Sequence, residues 1–96
     1  MSATGNGRTP PRGPVLHLRE GRAAAAGTRA LRRLSGLDLL TLARRLDATA
    51  AWLTARERES VRLTRAECDQ IAAALGTDYA GLLAAGSRAI AEKEAP

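Results

Sequence analysis

"GLDLLTLARRLDATAAWLTARERE", residues 36–59, decides how this chain folds. Gly36 is the residue type that accepts the left-handed conformation at a helix end, so it closes whatever precedes it. Asp38 then reads as an N-cap, its carboxylate accepting backbone N–H groups of a new first turn. Leu39, Leu42, Ala43 and Leu46 recur at spacings of three and four, which makes one buried helical stripe. Asp47, Ala48 and Thr49 form a tight turn, and Thr49 caps a helix running from about Ala50 to Glu57 with Leu53 facing inward. Two short helices across such a turn make a helix-turn-helix. Ala43 is small because steeply crossed helices need close backbone approach, while Leu42, Leu46 and Leu53 fill the wedge between them.

Outward from this pair the helical pattern continues in both directions. "GRAAAAGTRALRRLSG" (21–36) predicts a first helix that starts near Thr28 or earlier, with Ala30, Leu31 and Leu34 apolar. Downstream, "RERESVR" (56–62) is a charged connection, and "LTRAECDQIAAALG" (63–76) opens on Thr64-x-x-Glu67, a capping box. Leu63, Cys68, Ile71, Ala72 and Leu75 form its apolar face and Gly76 ends it. Asp78 caps a last short helix carrying Leu82 and Leu83, and the chain after Gly86 is polar. The expectation is an all-α, compact five-helix domain over residues 23–86, followed by a polar tail at 87–96. Residues 1–22, with Gly5, Gly7, Pro10, Pro11, Gly13 and Pro14, read as a flexible basic arm. Within that arm "VLHL" (15–18) is long enough only for a transient strand or a docking segment, and His17 is read as an ordinary tail histidine.

Composition narrows the class of protein. The 96 residues permit one small domain, rich in Ala, Leu and Arg, with Trp52 and Tyr79 as the aromatics. This favours helices over a β-sandwich or barrel. The composition also resembles the codon bias of a GC-rich genome, which would leave part of the arginine excess without functional meaning. Cys68 is the lone cysteine, which excludes an intramolecular disulfide, and paired His or Cys metal ligands are lacking. A Ser–His–Asp set, paired carboxylates in an apolar pocket and a glycine-rich phosphate loop are lacking too, so the expectation is no enzyme, no cofactor and no metal. No apolar run approaches the roughly 20 residues that span a bilayer, and the reading is a soluble, cytoplasmic protein. The net charge of +5 is uneven: +3 over residues 1–22, +5 over 23–65 and −3 over 66–96. A basic front with an acidic back suits a polyanion.

The stretch 36–59 resembles the phage-repressor-like (Xre/Cro-type) helix-turn-helix family, and the resemblance runs on into "LTRAECDQIAAALGTDYAGLLAA" (63–85). It covers roughly residues 28–85 and rests on Leu42-Ala43, Leu46, Thr49, Leu53 and Glu57 in order. It implies a lambda-repressor-like domain, a bacterial transcription regulator that is nucleoid-associated when bound to double-stranded DNA. It also implies a homodimer on an inverted or repeated site. The second motif helix is then the recognition helix, its capped N-terminus directed at phosphate. At the base-reading positions, where the family commonly carries Gln, Arg or Ser, this chain has Ala50, Ala51 and Ala55. Alanine offers a base only methyl contact with thymine, so Thr54 and Arg56 are the remaining polar candidates. Arg56 departs in another way, since the family usually has a large apolar residue there, and Leu39 and Glu59 replace a usual Gln or Ser and a usual Gly.

Arg58, Arg62 and Arg65 lie where the family grips the DNA backbone, contacts that supply affinity and register without sequence information. Arg44 and Arg45 sit on the preceding helix, and Arg8, Arg12, Arg19 and Arg22 of the arm read first as an inert tail and second as minor-groove contacts. Glu57 matches an acidic position read as a structural ion pair or loop hydrogen bond. Trp52 reads as core, as a DNA contact or as part of a protein interface, since beside Ala50, Ala51 and Ala55 it makes an apolar patch. A second function class therefore stands beside the regulator: a protein-interaction module such as an antitoxin, anti-repressor or polymerase adaptor, docking through the Ala/Trp face.

Overall fold

The computed structural model describes residues 15–58 and 63–95. Five helices follow one another: α1 (Leu18–Leu34), α2 (Leu39–Arg45), α3 (Ala50–Arg58), α4 (Arg65–Ala74) and α5 (Tyr79–Glu94). No strand is formed among the described residues beyond an isolated antiparallel bridge between Val15 and Thr64, where Leu16 N–H donates to the Leu63 carbonyl at 3.0 Å. The docking alternative for "VLHL" thus describes its start, which is pinned beside the N-terminus of α4.

The caps are local and match their sequence signals. Thr41 N–H donates to Asp38 Oδ1 at 2.7 Å, and Gly81 N–H donates to Asp78 Oδ1 at 2.8 Å. Both halves of the Thr64–Glu67 capping box are formed. Gly36 (φ 73°) and Gly76 (φ 79°) occupy the left-handed region that an L side chain enters only at a cost. The same conformation at Asp47 (φ 56°) makes the turn between α2 and α3, a place where Asp is tolerated better than most residues.

Both outer helices are longer than their sequence signals imply. α1 begins at Leu18, ten residues before Thr28, so residues 18–22 of the expected arm are helical. Its first half buries Gly21, Ala23, Ala24, Ala25, Gly27 and Thr28, a face of small residues that carries no leucine periodicity. α5 likewise runs through Gly86 to Glu94, so most of the expected polar tail is helix. Gly86 does not end the helix because it serves packing. A Cβ there would meet the Ala23 carbonyl, and one at Gly27 would meet the Leu82 carbonyl. The two backbones lie too close for any side chain between them.

Around this α1–α5 pair the core falls into two joined clusters. Ala24, Ala25, Leu63, Cys68, Ile71, Ala72 and Leu82 form one, and Leu42, Ala43 and Leu53 the other. Leu46, Trp52 and Leu75 pack against both and weld the helix-turn-helix to the rest. Burial pushes the Cys68 thiol up to about 12, with Glu67 and Asp69 adding to the effect. Native protein is therefore expected to be unreactive towards a thiol reagent at neutral pH until denaturant unfolds it. The unfolded thiol ionises near its ordinary 9 while the folded one does not. This contribution to stability is complete below pH 9 and falls as pH rises from there towards 12, by about 1.4 kcal/mol per pH unit. Denaturant midpoints of native and Cys68→Ser protein across that range check it, since the serine variant lacks the thiol's share of the alkaline decline, while Tyr79, also raised by burial, declines in both.

Candidate nucleic-acid interface

α3 is presented by the packing of α2 beneath it. Leu42, Ala43 and Leu53 are fully buried at the contact, so the position read as needing close backbone approach is indeed covered. Trp52 N–H donates to Thr49 Oγ1 at 3.0 Å, which caps α3 as expected. The outer face that results is short of hydrogen-bonding groups. Ala51 is exposed, Ala50 and Ala55 are half-buried. The Thr54 hydroxyl donates to the Ala50 carbonyl at 2.9 Å, turned back onto its own helix.

Arg56, the other polar candidate, is placed inward. Its guanidinium lies over the Trp52 ring, 4.5 Å from the centroid, and Nη2 reaches Glu67 Oε2 at 3.4 Å. Its Nε is buried without a hydrogen-bond partner. The chain thus fills a position that the family usually makes apolar with a cation stacked on an indole. Trp52 is half-buried, and its remaining edge lines a shallow hollow with Leu46, Ala48, Thr49 and Gln70. Gln70, an exposed amide on α4 beside the start of α3, carried no motif signal and becomes visible only when the two helices are brought together.

The arginines expected to hold phosphate are differently placed. Arg58 is exposed at the end of α3. Arg62 lies outside the described residues. Arg65 stacks on Tyr79, 3.8 Å from the ring centroid, and its Nε pairs with Asp69 Oδ1 at 3.2 Å, a half-exposed and pre-oriented cation. On α2, Arg44 is exposed and Arg45 Nη1 reaches the Ala74 carbonyl at 3.4 Å, at the end of α4. Leu39 packs against the smaller core cluster.

Beneath α3 sits a buried ion pair. Arg32 of α1 donates from Nε to Glu57 Oε2 at 2.8 Å and from Nη2 to Oε1 at 3.1 Å, while Nη1 donates to the Leu37 carbonyl at 3.1 Å. Of the two roles open to Glu57, ion pair or loop hydrogen bond, the structure shows the ion pair, with Arg32 the partner that sequence does not identify. The hydrogen bond to Glu57 holds the Arg32 guanidinium above its ordinary pKa, against the effect of burial. One guanidinium thus ties α1, the α1–α2 turn and the end of α3 together.

No group of three or more His, Cys, Asp or Glu side chains that could hold a metal ion occurs among the described residues. None of the described helices is long and apolar enough to cross a membrane. No family model matches the chain, and no curated protein matches it. Among solved structures it is similar to the crystal structure of the clp gene regulator ClgR from Corynebacterium glutamicum. The two are 26% identical over 85% of each chain, with a TM-score of 0.67. The likeness to this gene regulator is one of fold and, more distantly, of sequence.

Proposed function

We propose that this protein is a DNA-binding transcriptional regulator of phage-repressor (Xre/Cro) type, acting as a homodimer on double-stranded DNA. The observation that carries the reading is the capped, outward-facing α3 held on α2 by Leu42, Ala43 and Leu53, in a frame shared with a clp gene regulator. With the Thr54 hydroxyl and Arg56 engaged inside the domain, α3 offers a duplex chiefly the methyls of Ala50, Ala51 and Ala55 and the edge of Trp52. Sequence preference then comes from thymine-methyl contact and from DNA shape. Affinity comes from phosphate contacts by Arg58 and Arg62, with Arg65 offered from its Tyr79 stack, where a phosphate competes with Asp69. The Trp52 hollow favours a second reading, in which this face captures a protein partner.

A salt titration of duplex binding tests the first reading. Affinity is expected to fall steeply between about 50 and 200 mM salt, and Arg58→Ala and Arg62→Ala should each lower the log–log slope by about 0.9. Ala51→Glu, which sets a carboxylate against the phosphates from the exposed face of α3, should remove binding while leaving the fold intact. Failure to bind any duplex at low salt, together with loss of a protein partner in Trp52→Ala, would overturn the regulator in favour of the interaction module.

A further inference from the structure

α1, the end of α3 and α5 enclose a groove that the exposed face of α3 does not use, with a volume of about 430 Å³. Its floor is alanine methyls, with Ile90 as the one larger apolar side chain, and its walls carry Arg22, Arg29, Arg33, Arg58 and Lys93. Two carboxylates lie near these cations and both are engaged. Glu57 is held by Arg32 in the buried pair, and Glu94 takes Arg22 at 3.0 Å on the surface. Arg29, Arg33, Arg58 and Lys93 make no ion pair among the described residues. Arg29 and Arg33 are four apart on one helix, a like-charge pairing that weakens a helix by itself. Cations drawn from three helices around one recess repel one another until an anion enters.

The walls and the floor together select the kind of anion. A peptide held in a groove relies on buried aromatic or aliphatic anchors, and alanine methyls beside a single isoleucine give it none. Phosphate groups need only convergent cations. Arg58, the last residue of α3, lines the groove, so one end of it adjoins the C-terminus of that helix. We propose that the α1–α3–α5 groove is a second phosphate site, which holds duplex backbone phosphates beyond those that the exposed face of α3 reaches. In this form it rests on the DNA-binding reading. The same cations suit a soluble polyphosphate, and the experiment separates the two sources.

The full chain and its Arg29→Ala/Arg33→Ala/Lys93→Ala variant are titrated with a duplex of about three helical turns at several salt concentrations, and separately with inorganic tripolyphosphate by calorimetry. Arg88→Ala, which removes an exposed cation of α5 outside the groove, controls for net charge. The expected result is a salt slope lower by about 2–3 in the triple variant, unchanged in the control, with a thermal midpoint equal to or above that of the unaltered chain because repulsion has been relieved. An unaltered slope with tripolyphosphate binding lost in the triple variant upholds the phosphate site but assigns it a soluble ligand. An unaltered slope with tripolyphosphate bound equally by both proteins, or by neither, overturns the proposal. So does capture of poly-glutamate, in place of either phosphate ligand, by the unaltered chain and not by the triple variant, which would mark an acidic protein partner. If the unaltered chain binds no duplex at all, the regulator reading fails and the tripolyphosphate arm alone decides the groove.

Discussion

Replacing Glu57 with alanine is expected to destabilise the chain by about 3–5 kcal/mol, because Arg32 is then left buried with an unbalanced charge. The two side chains retain only 11% and 6% of their exposure, so little of the pair faces water in the folded chain. Two of the three guanidinium hydrogen bonds vanish and the third, to Leu37, cannot balance the charge. At this size such a loss lowers the thermal midpoint by on the order of 15 °C or more. Arg32→Ala should do similar damage. Arg32→Met/Glu57→Leu should cost much less than either single change, since a buried pair exchanged for apolar side chains of similar volume is often close to neutral. Thermal or urea unfolding of the four proteins forms a double-mutant cycle that measures the coupling directly. A Glu57→Ala midpoint within a degree or two of the unaltered chain would show that the pair is open to solvent.

Gly86→Ala should lower stability by about 2–3 kcal/mol, although alanine is the better helix former by about 1 kcal/mol. The opposing effect is steric. The new methyl would meet the Ala23 carbonyl, with the Gly27 backbone N–H near it, and backbone cannot rotate aside as a flexible side chain can. Relief requires α1 and α5 to separate along their whole contact, which loosens the packing of Ala24, Ala25 and Leu82 in the core. Gly27→Ala should behave in the same way against the Leu82 carbonyl. Ala84, exposed two residues earlier on α5, supplies the control. There Ala→Gly should cost about 1 kcal/mol by propensity alone, so the preference between the two residue types reverses within one turn. A Gly86→Ala chain that melts higher than the original would refute the close crossing.

The helix-turn-helix was legible because its signals are short-range. A cap accepts a hydrogen bond from a residue two or three positions on, and a glycine turn depends on its own φ. Asp38, Thr49, Thr64, Asp78, Gly36 and Gly76 could all be assigned without knowing what packs on what. The outer ends of α1 and α5 were hidden because Ala and Gly carry no amphipathic contrast; a stripe of small residues reads as bland until a second backbone lies against it. Of the interface, the alanines of α3 were legible as positions, and Glu57 as an ion-pair member. Its partner, 25 residues away on α1, was not. The stacking of Arg56 on Trp52 was hidden as well, because i,i+4 proximity does not tell whether a cation turns to solvent or to a ring.

The amino-acid sequence alone determined the N-caps of four helices, two glycine turns, a buried leucine stripe across a tight turn, and a third helix whose outer face is alanine. Those properties reside within a few residues of chain, where hydrogen-bond reach and φ preference act without long-range contacts. The tertiary structure alone decided that α1 and α5 cross backbone to backbone at Gly27 and Gly86, and that Arg32 locks Glu57 beneath α3. It also decided that Arg56 is spent on Trp52 and that Arg29, Arg33, Arg58 and Lys93 converge on one groove. Burial, charge pairing and charge crowding depend on which distant surfaces meet, and that is set only when the helices pack.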